Sequence, residues 1–118
     1  MTSLVACLST GKGTWAHVNE IINKEDWDKI FLVTNDFGVQ NFKPSKQVEY
    51  ILVDTTRFLT DIVMDIKKQL EGKISDFEVA VNLVSGEGKE HMAIISALMK
   101  LGLGIRLIAL TQKGIEEI

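Results

Sequence analysis

Two short turns of this chain combine glycines, small hydroxyl residues and a lysine, which are residue types that bind phosphate groups. Residues 9–13 read STGKG and residues 85–89 read SGEGK. Glycine lets the backbone approach a ligand closely, and the first turn of a following helix presents unpaired, partly positive N–H groups. Each turn is therefore a candidate anion site. The alternative is that the glycines only make tight connections and that Lys12 and Lys89 are solvated surface lysines.

Apolar runs alternate with helical patterns along the chain. Five runs are predicted as strands, at residues 3–8, 30–33, 48–53, 79–84 and 105–110. Apolar residues at helical spacing follow the first, third and fourth of these runs, whereas residues 37–46 keep neither period and are predicted as a loop or irregular crossover. The alternation predicts an α/β, Rossmann-like three-layer domain over residues 1–118. Its mostly parallel sheet has five or six strands, with the five in the order 3-2-1-4-5.

The predicted strand order determines where the two lysine-bearing turns lie. Strands one and four are neighbours in this order, and both turns follow the carboxyl ends of their strands. Ligands of open parallel sheets bind at this edge, where the strand order reverses. We therefore expect the two turns to converge on one crevice.

Composition limits the partners of the chain. The 118 residues carry a formal net charge of −3, which argues against duplex nucleic acid, because that partner needs a basic face. No apolar run approaches the roughly 18 residues of a membrane span, so no membrane partner is expected. Cys7 is the single cysteine and has no partner for an internal disulfide. We expect a cytoplasmic protein.

Familiar nucleotide and metal motifs fit poorly. A phosphate-binding P-loop requires glycine five positions before its Gly-Lys pair, where this chain has Ala6 and Leu83. A dinucleotide fingerprint is possible if Ala16 replaces its third glycine and Asp36 binds the ribose. His17 and His91 lie in different predicted helices without a local carboxylate pattern, so no metal site is predicted. Neither a metal nor another cofactor is expected.

Residues 82–89, which read NLVSGEGK, resemble the second signature of CARF domains, the CRISPR-associated Rossmann-fold ligand sensors. In that family a strand ends in an Asn-x-(Ser/Thr)-Gly-Gly-(Thr/Met)-(Lys/Arg) motif. Lys89 matches the basic position, whereas Asn82 lies one residue further from the turn and Glu87 replaces a usual glycine. Residues 8–11 are similar to the first signature, a strand closing in small polar residues.

This resemblance implies that the ligand is a cyclic oligoadenylate, the second messenger of type III CRISPR defence, bound across a homodimer. The resemblance is compatible with two roles for this chain: a non-catalytic sensor or sequestering protein, or a ring nuclease. In a ring nuclease a ribose 2′-OH attacks the adjacent phosphate without metal. The catalytic candidates are then Lys89, which stabilises the phosphate charge, and Ser9 and Thr10, which orient the ribose. The other ligand-binding candidates are Gly11, Lys12, Gly13, Trp15, Ser85, Gly86, Glu87, Gly88 and His91.

Particular roles follow for two of these candidates. Trp15, next to the first turn, could stack on an adenine, although tryptophan at such a position also serves in a core or interface. His91 is a candidate proton-transfer group. Two other function classes stay open: a small nucleotide-binding enzyme that uses Asp36 and a partner chain, and an interaction module that uses its apolar helix faces.

Overall fold

The computed structural model describes residues 2–8 and 11–118. These residues contain six strands and four α-helices, which alternate from β1 to β5, and a short 3-10 helix at Lys12–Thr14 precedes the first α-helix. None of the helices in these residues is long and apolar enough to cross a membrane. The strands are β1 (Leu4–Cys7), β2 (Ile30–Thr34), β3 (Glu49–Leu52), β4 (Glu78–Asn82), β5 (Gly104–Thr111) and β6 (Gly114–Glu117). The helices are α1 (Trp15–Lys24), α2 (Asp36–Asn41), α3 (Leu59–Leu70) and α4 (Gly88–Lys100).

The strands form one mostly parallel sheet in the order β3-β2-β1-β4-β5-β6. The predicted α/β class, the Rossmann-like layering and the order of the first five strands are confirmed. β1 lies between β2 and β4, with Ala6 opposite Asn82 in register. β6 pairs antiparallel with β5 and forms the sixth strand, which the sequence left as a possibility.

Alternating side chains of the central strands build an apolar core on each face of the sheet. In β1, Val5 and Cys7 pack toward α3 and α4, whereas Leu4 and Ala6 pack toward α1. All four side chains are fully buried, as expected for a strand with both faces covered. The helices therefore cover opposite faces of the sheet, and the three layers leave the strand ends open at the edges.

The crossover between β2 and β3 differs from the sequence prediction. The predicted loop over residues 37–46 contains α2, which begins at Asp36 and ends at Asn41. The Asn35 side chain caps this helix by accepting a hydrogen bond from the Gly38 N–H at 3.2 Å. Six residues are fewer than two helical turns, so the segment has no full apolar period to reveal it. The prediction of a loop is wrong for these residues.

Candidate active site

The two lysine-bearing turns follow β1 and β4, which are parallel neighbours, so both leave the sheet at the same edge. Gly86, in the turn after β4, has a φ of +102°, a conformation that favours glycine. A Cβ atom at this position would lie 2.5 Å from the Sγ atom of Cys7, the last residue of β1. The turn therefore folds directly onto the end of the neighbouring strand. The contact joins the second turn to the end of β1, and the convergence of the two turns on one crevice stays a prediction.

The second turn carries negative as well as positive charge. α4 begins at Gly88, so Lys89 is its second residue. Glu87 is the N-cap residue of the helix, and Glu90 lies in its first turn. The positive end of a helix dipole stabilises carboxylates placed there, and here two of them already occupy it. The candidate anion site at α4 is thus largely neutralised by the protein itself.

Lys89 links α4 to the connection between β3 and α3. Its Nζ atom donates hydrogen bonds to the backbone oxygens of Thr55, at 2.8 Å, and Arg57, at 2.7 Å. An ammonium group has three N–H donors, so one remains for a ligand. Lys89 therefore anchors a loop at the edge and keeps one donor.

The β3–α3 connection that Lys89 anchors has its own polar turn. The Asp54 carboxylate accepts hydrogen bonds from the hydroxyl and the backbone N–H of Thr56, at 2.6 and 3.0 Å. These hydrogen bonds lower the pKa of Asp54. The carboxylate is thus ionised around neutral pH and orders the backbone whose carbonyl groups face Lys89.

Beneath the second turn, a thiol and a carboxylate form a pair. Cys7 Sγ donates to Glu90 Oε2 at 3.2 Å, and both atoms lie close to Gly86. Burial, the charge of Glu90 and the hydrogen bond to Glu90 raise the pKa of the Cys7 thiol well above its usual range. Because only the thiolate is a nucleophile, Cys7 serves as a donor that holds Glu90 in place.

A cavity of about 160 Å³ opens between this carboxylate and the ends of three strands. Leu8, Thr34 and Val53 come from or adjoin the carboxyl ends of β1, β2 and β3. Thr34 is almost fully buried, and its hydroxyl donates to the Leu8 oxygen at 2.9 Å. The remaining lining residues are Asn35, Thr55, Glu87 and Glu90. The cavity is thus rich in hydrogen-bond acceptors and carries two carboxylates.

The first turn has a different electrostatic character. The exposed Lys12 ammonium lies 5.8 Å from the ring centroids of both Trp15 and Phe37, within cation–π distance. No acidic residue occurs in the first turn of the 3-10 helix or of α1. Nothing lies within 4 Å of where a Cβ atom of Gly13 would stand, so this glycine borders open space. The helices that carry Lys12 and Trp15 thus have no acidic residue in their first turns, while Asp36 at the start of α2 adjoins Phe37, the second ring that Lys12 contacts.

Trp15 lies in the core rather than on the surface. Its side chain is 9% exposed and packs edge-on against Phe42, with ring centroids 5.5 Å apart. Phe37, which is 40% exposed, is the more accessible ring beside Lys12. In this conformation Trp15 contributes packing, and stacking on an adenine stays a prediction.

Ser9 and Thr10, the two hydroxyl residues proposed for catalysis, lie outside the described residues, as does any contact of theirs with Lys12.

Asn82 and His17 join β4, β5 and α1 at the same edge. Asn82 is 1% exposed; its Nδ2 donates to the Ile108 oxygen at 2.9 Å and lies 3.2 Å from His17 Nε2. The Leu110 N–H also points to His17 Nε2, at 3.4 Å. Since both neighbours are donors, this nitrogen is the acceptor of the ring. The family motif that drew attention to Asn82 thus corresponds here to a structural network.

His91 faces the second turn from within α4. Its Nε2 lies 2.9 Å from the oxygen of the buried Ser85, so this nitrogen carries the proton and donates. Nδ1 is then the nitrogen with the lone pair when the ring is neutral.

Asp36, the ribose-binding candidate of the dinucleotide alternative, is the exposed first residue of α2, while Asn35 faces the cavity.

Sequence reasoning missed most of the cavity. Thr34, Asn35, Thr55 and the Glu90 carboxylate are not among the candidate residues predicted from the sequence, whereas Glu87 is. The shared signal of Thr34, Asn35 and Thr55 is position, because each follows a predicted strand at the carboxyl edge.

Within the described parts of the chain, no group of three histidine, cysteine or acidic residues is arranged to hold a metal. No protein-family model and no curated protein matches this sequence, so the resemblance to CARF domains rests on its two motifs.

Proposed function

We propose that this chain binds a cyclic oligoadenylate at the carboxyl edge of β1 and β4, as the resemblance to CARF domains implies. The observation that carries the proposal is the strand order, which makes β1 and β4 parallel neighbours at the switch point of the sheet, so that both glycine turns follow strand ends at the same edge. Gly13 and Gly88 border open space there. Lys12 at the first turn and the remaining N–H of Lys89 at the second supply positive charge for the phosphates, whereas the two carboxylates that line the cavity repel them.

Binding as a homodimer is part of the proposal. An apolar groove of about 360 Å³ lies between α3 and α4 and is bordered by the exposed Met64 and Met92. An exposed apolar surface of this kind supports association with another copy of the chain. A two-fold arrangement would bring two copies of the candidate site to one ring of phosphates.

Cleavage of the ring is the second candidate function, and His91 favours it. Its Nδ1 can accept the proton of a ribose 2′-OH while that oxygen attacks the adjacent phosphorus. The bond from phosphorus to the 5′-oxygen then breaks, the leaving oxygen takes a proton from water, and a 2′,3′-cyclic phosphate forms. The remaining N–H of Lys89 could stabilise the phosphate charge in this step.

The test is incubation of the purified protein with labelled cyclic tetra- and hexa-adenylate in EDTA, followed by native gels and product analysis. We expect retention of the ligand by the wild type. Lys12→Ala and Lys89→Ala each remove a cation at the edge, so we expect each to weaken binding tenfold or more, equal to about 1.4 kcal/mol. The matched control is Lys24→Ala, which removes an equal charge at the opposite end of α1.

The possible outcomes separate the two functions from each other. Linear products that disappear in His91→Ala, with binding retained, establish metal-independent cleavage. Retention without products leaves a sensor or sequestering protein. Absence of retention by the wild type, or equal losses in all three lysine variants, contradicts the proposal.

A further inference from the structure

We propose that the cavity of about 160 Å³ beside α4 binds the ribose of a nucleoside, with Glu87 and Glu90 accepting hydrogen bonds from its hydroxyl groups. This inference deepens the proposed function and rests on it for the identity of the whole ligand. It divides the edge into two parts. Phosphate lies at Lys12 and Lys89, and an uncharged sugar lies between α4 and the ends of β1, β2 and β3.

The size of the cavity suits a single ring. An enclosed apolar cavity of about 150 Å³ in another protein holds a single benzene-sized ring. The present cavity, which opens to solvent, therefore has room for a five-membered sugar ring. No aromatic side chain is among its lining residues, so the stacking that usually holds a base is absent from this part of the described structure.

The charges of the cavity exclude phosphate and favour hydroxyl donors. Glu87 and Glu90 both line the space, and a phosphate placed between them would meet like charge. Ionised carboxylates only accept hydrogen bonds, and those they accept are stronger than neutral ones. A pair of adjacent sugar hydroxyls supplies two such donors without adding a negative charge.

The acceptors are held in position before a ligand arrives. Cys7 donates to Glu90 Oε2, which leaves Oε1 for a ligand. Thr34 is held by its hydrogen bond to Leu8, and its hydroxyl oxygen retains acceptor capacity. The apolar side chains of Leu8 and Val53 supply a surface for the carbon atoms of the sugar.

The test is NMR titration of the isotope-labelled protein with adenosine, which has no phosphate. We expect adenosine to shift the backbone amide signals of Thr34, Asn35 and Thr55. The analogue 2′,3′-dideoxyadenosine, which lacks both hydroxyls, should leave these signals in place. Free D-ribose tests whether the sugar alone is sufficient. Equal shifts from adenosine and its dideoxy analogue would overturn the assignment to ribose.

Variants that remove the charge of a single carboxylate provide a second test of the ribose site. Glu87→Gln and Glu90→Gln should each weaken adenosine binding about tenfold, and the amide oxygen introduced by Glu90→Gln can still accept the Cys7 hydrogen bond. Glu20→Gln, on an exposed position of α1, is the control and should bind as the wild type does. Tighter binding of cyclic tetra-adenylate by the Glu87 and Glu90 variants would place phosphate in the cavity and overturn the inference.

Cyclic tetra-adenylate, titrated into the same wild-type sample, separates failure of this inference from failure of the proposed function. Binding of the tetra-adenylate without any change at the cavity overturns the ribose site alone. Binding of adenosine at the cavity without binding of the tetra-adenylate overturns the proposed function alone. Absence of binding by adenosine and by the tetra-adenylate anywhere on the protein contradicts both.

Discussion

At the scale of single residues, Cys7 illustrates how burial determines chemistry. A cysteine beside a glutamate and near a histidine could be mistaken for a catalytic nucleophile. Its thiol is fully buried and donates to a carboxylate, and both features favour the protonated form. Cys7 thus acts as a small apolar residue that also orients Glu90.

The raised pKa of Cys7 makes stability depend on alkaline pH. In the unfolded chain the thiol ionises near its ordinary pKa of 9.0, whereas in the folded chain it keeps its proton. Above that pH the unfolded state binds fewer protons, so the free energy of unfolding falls as pH rises. At one pH unit above the ordinary pKa, ionisation of the Cys7 thiol in the unfolded chain lowers the free energy of unfolding by about 1.4 kcal/mol. Below the ordinary pKa the thiol keeps its proton in both states, so its full contribution to stability is retained.

Cys7→Ser is the variant that isolates this effect, because serine keeps a donor for Glu90 and does not ionise in this range. We expect the stability of the wild type relative to Cys7→Ser to decrease by about 1.4 kcal/mol between pH 7.5 and pH 10. Urea unfolding of both proteins at both pH values, with reductant present, measures this difference in the free energy of unfolding. Titration of other groups cancels in the comparison. A difference that stays constant with pH would contradict the assignment.

At the scale of elements, the packing of α2 against β2 depends on a missing side chain. A Cβ atom on Gly38 would lie 2.0 Å from Thr34 Oγ1 and 3.0 Å from Thr34 Cβ. Thr34 cannot move aside easily, because it is buried and bonded to Leu8. The short helix therefore approaches the strand at a distance that only glycine permits.

Two glycine-to-alanine variants in helices test this packing. Alanine is favoured over glycine in a helix by about 1 kcal/mol, but overpacking costs about 1–3 kcal/mol. We expect Gly38→Ala to lower the free energy of unfolding by at least about 1 kcal/mol, because the clash involves a fixed side chain. Gly88→Ala has no neighbour within 4 Å and should leave stability unchanged or slightly raised. Thermal unfolding of both variants decides, and equal effects would show that the contact with Thr34 is unimportant.

The same contact shows what the sequence could and could not predict at this scale. The first five strands were predictable because each contains an apolar run, and α1, α3 and α4 because they keep an apolar period. β6 reads GIEE and has no such run. α2 is too short to show a period, and its Gly38 looked like a helix breaker when it is a packing requirement. The cavity could be predicted only as a location, since Cys7 and Glu90 are 83 residues apart in sequence and meet through tertiary packing.

At the scale of the whole molecule, the central strands couple the two apolar cores. β1 contributes Val5 and Cys7 to the core under α3 and α4, and Leu4 and Ala6 to the core under α1. Loss of either core exposes apolar side chains of the same strands. The two faces are therefore expected to unfold as one cooperative unit, which also keeps the two turns of the candidate site in register.

Ile66→Val tests this coupling because the change and one of the probes lie on opposite faces. Ile66 is fully buried in the core under α3 and α4, whereas Trp15 and Trp27 pack with the α1 core. Removing one methylene from such a site lowers the free energy of unfolding by about 0.5–1.5 kcal/mol. We expect urea transitions followed by tryptophan fluorescence and by far-ultraviolet circular dichroism to shift together by this amount. Ile21→Val, on the tryptophan side, should shift both probes in the same way. If Ile66→Val moves the circular dichroism transition and leaves the fluorescence transition in place, the two faces unfold separately, because a cooperative sheet cannot lose one core and keep the other.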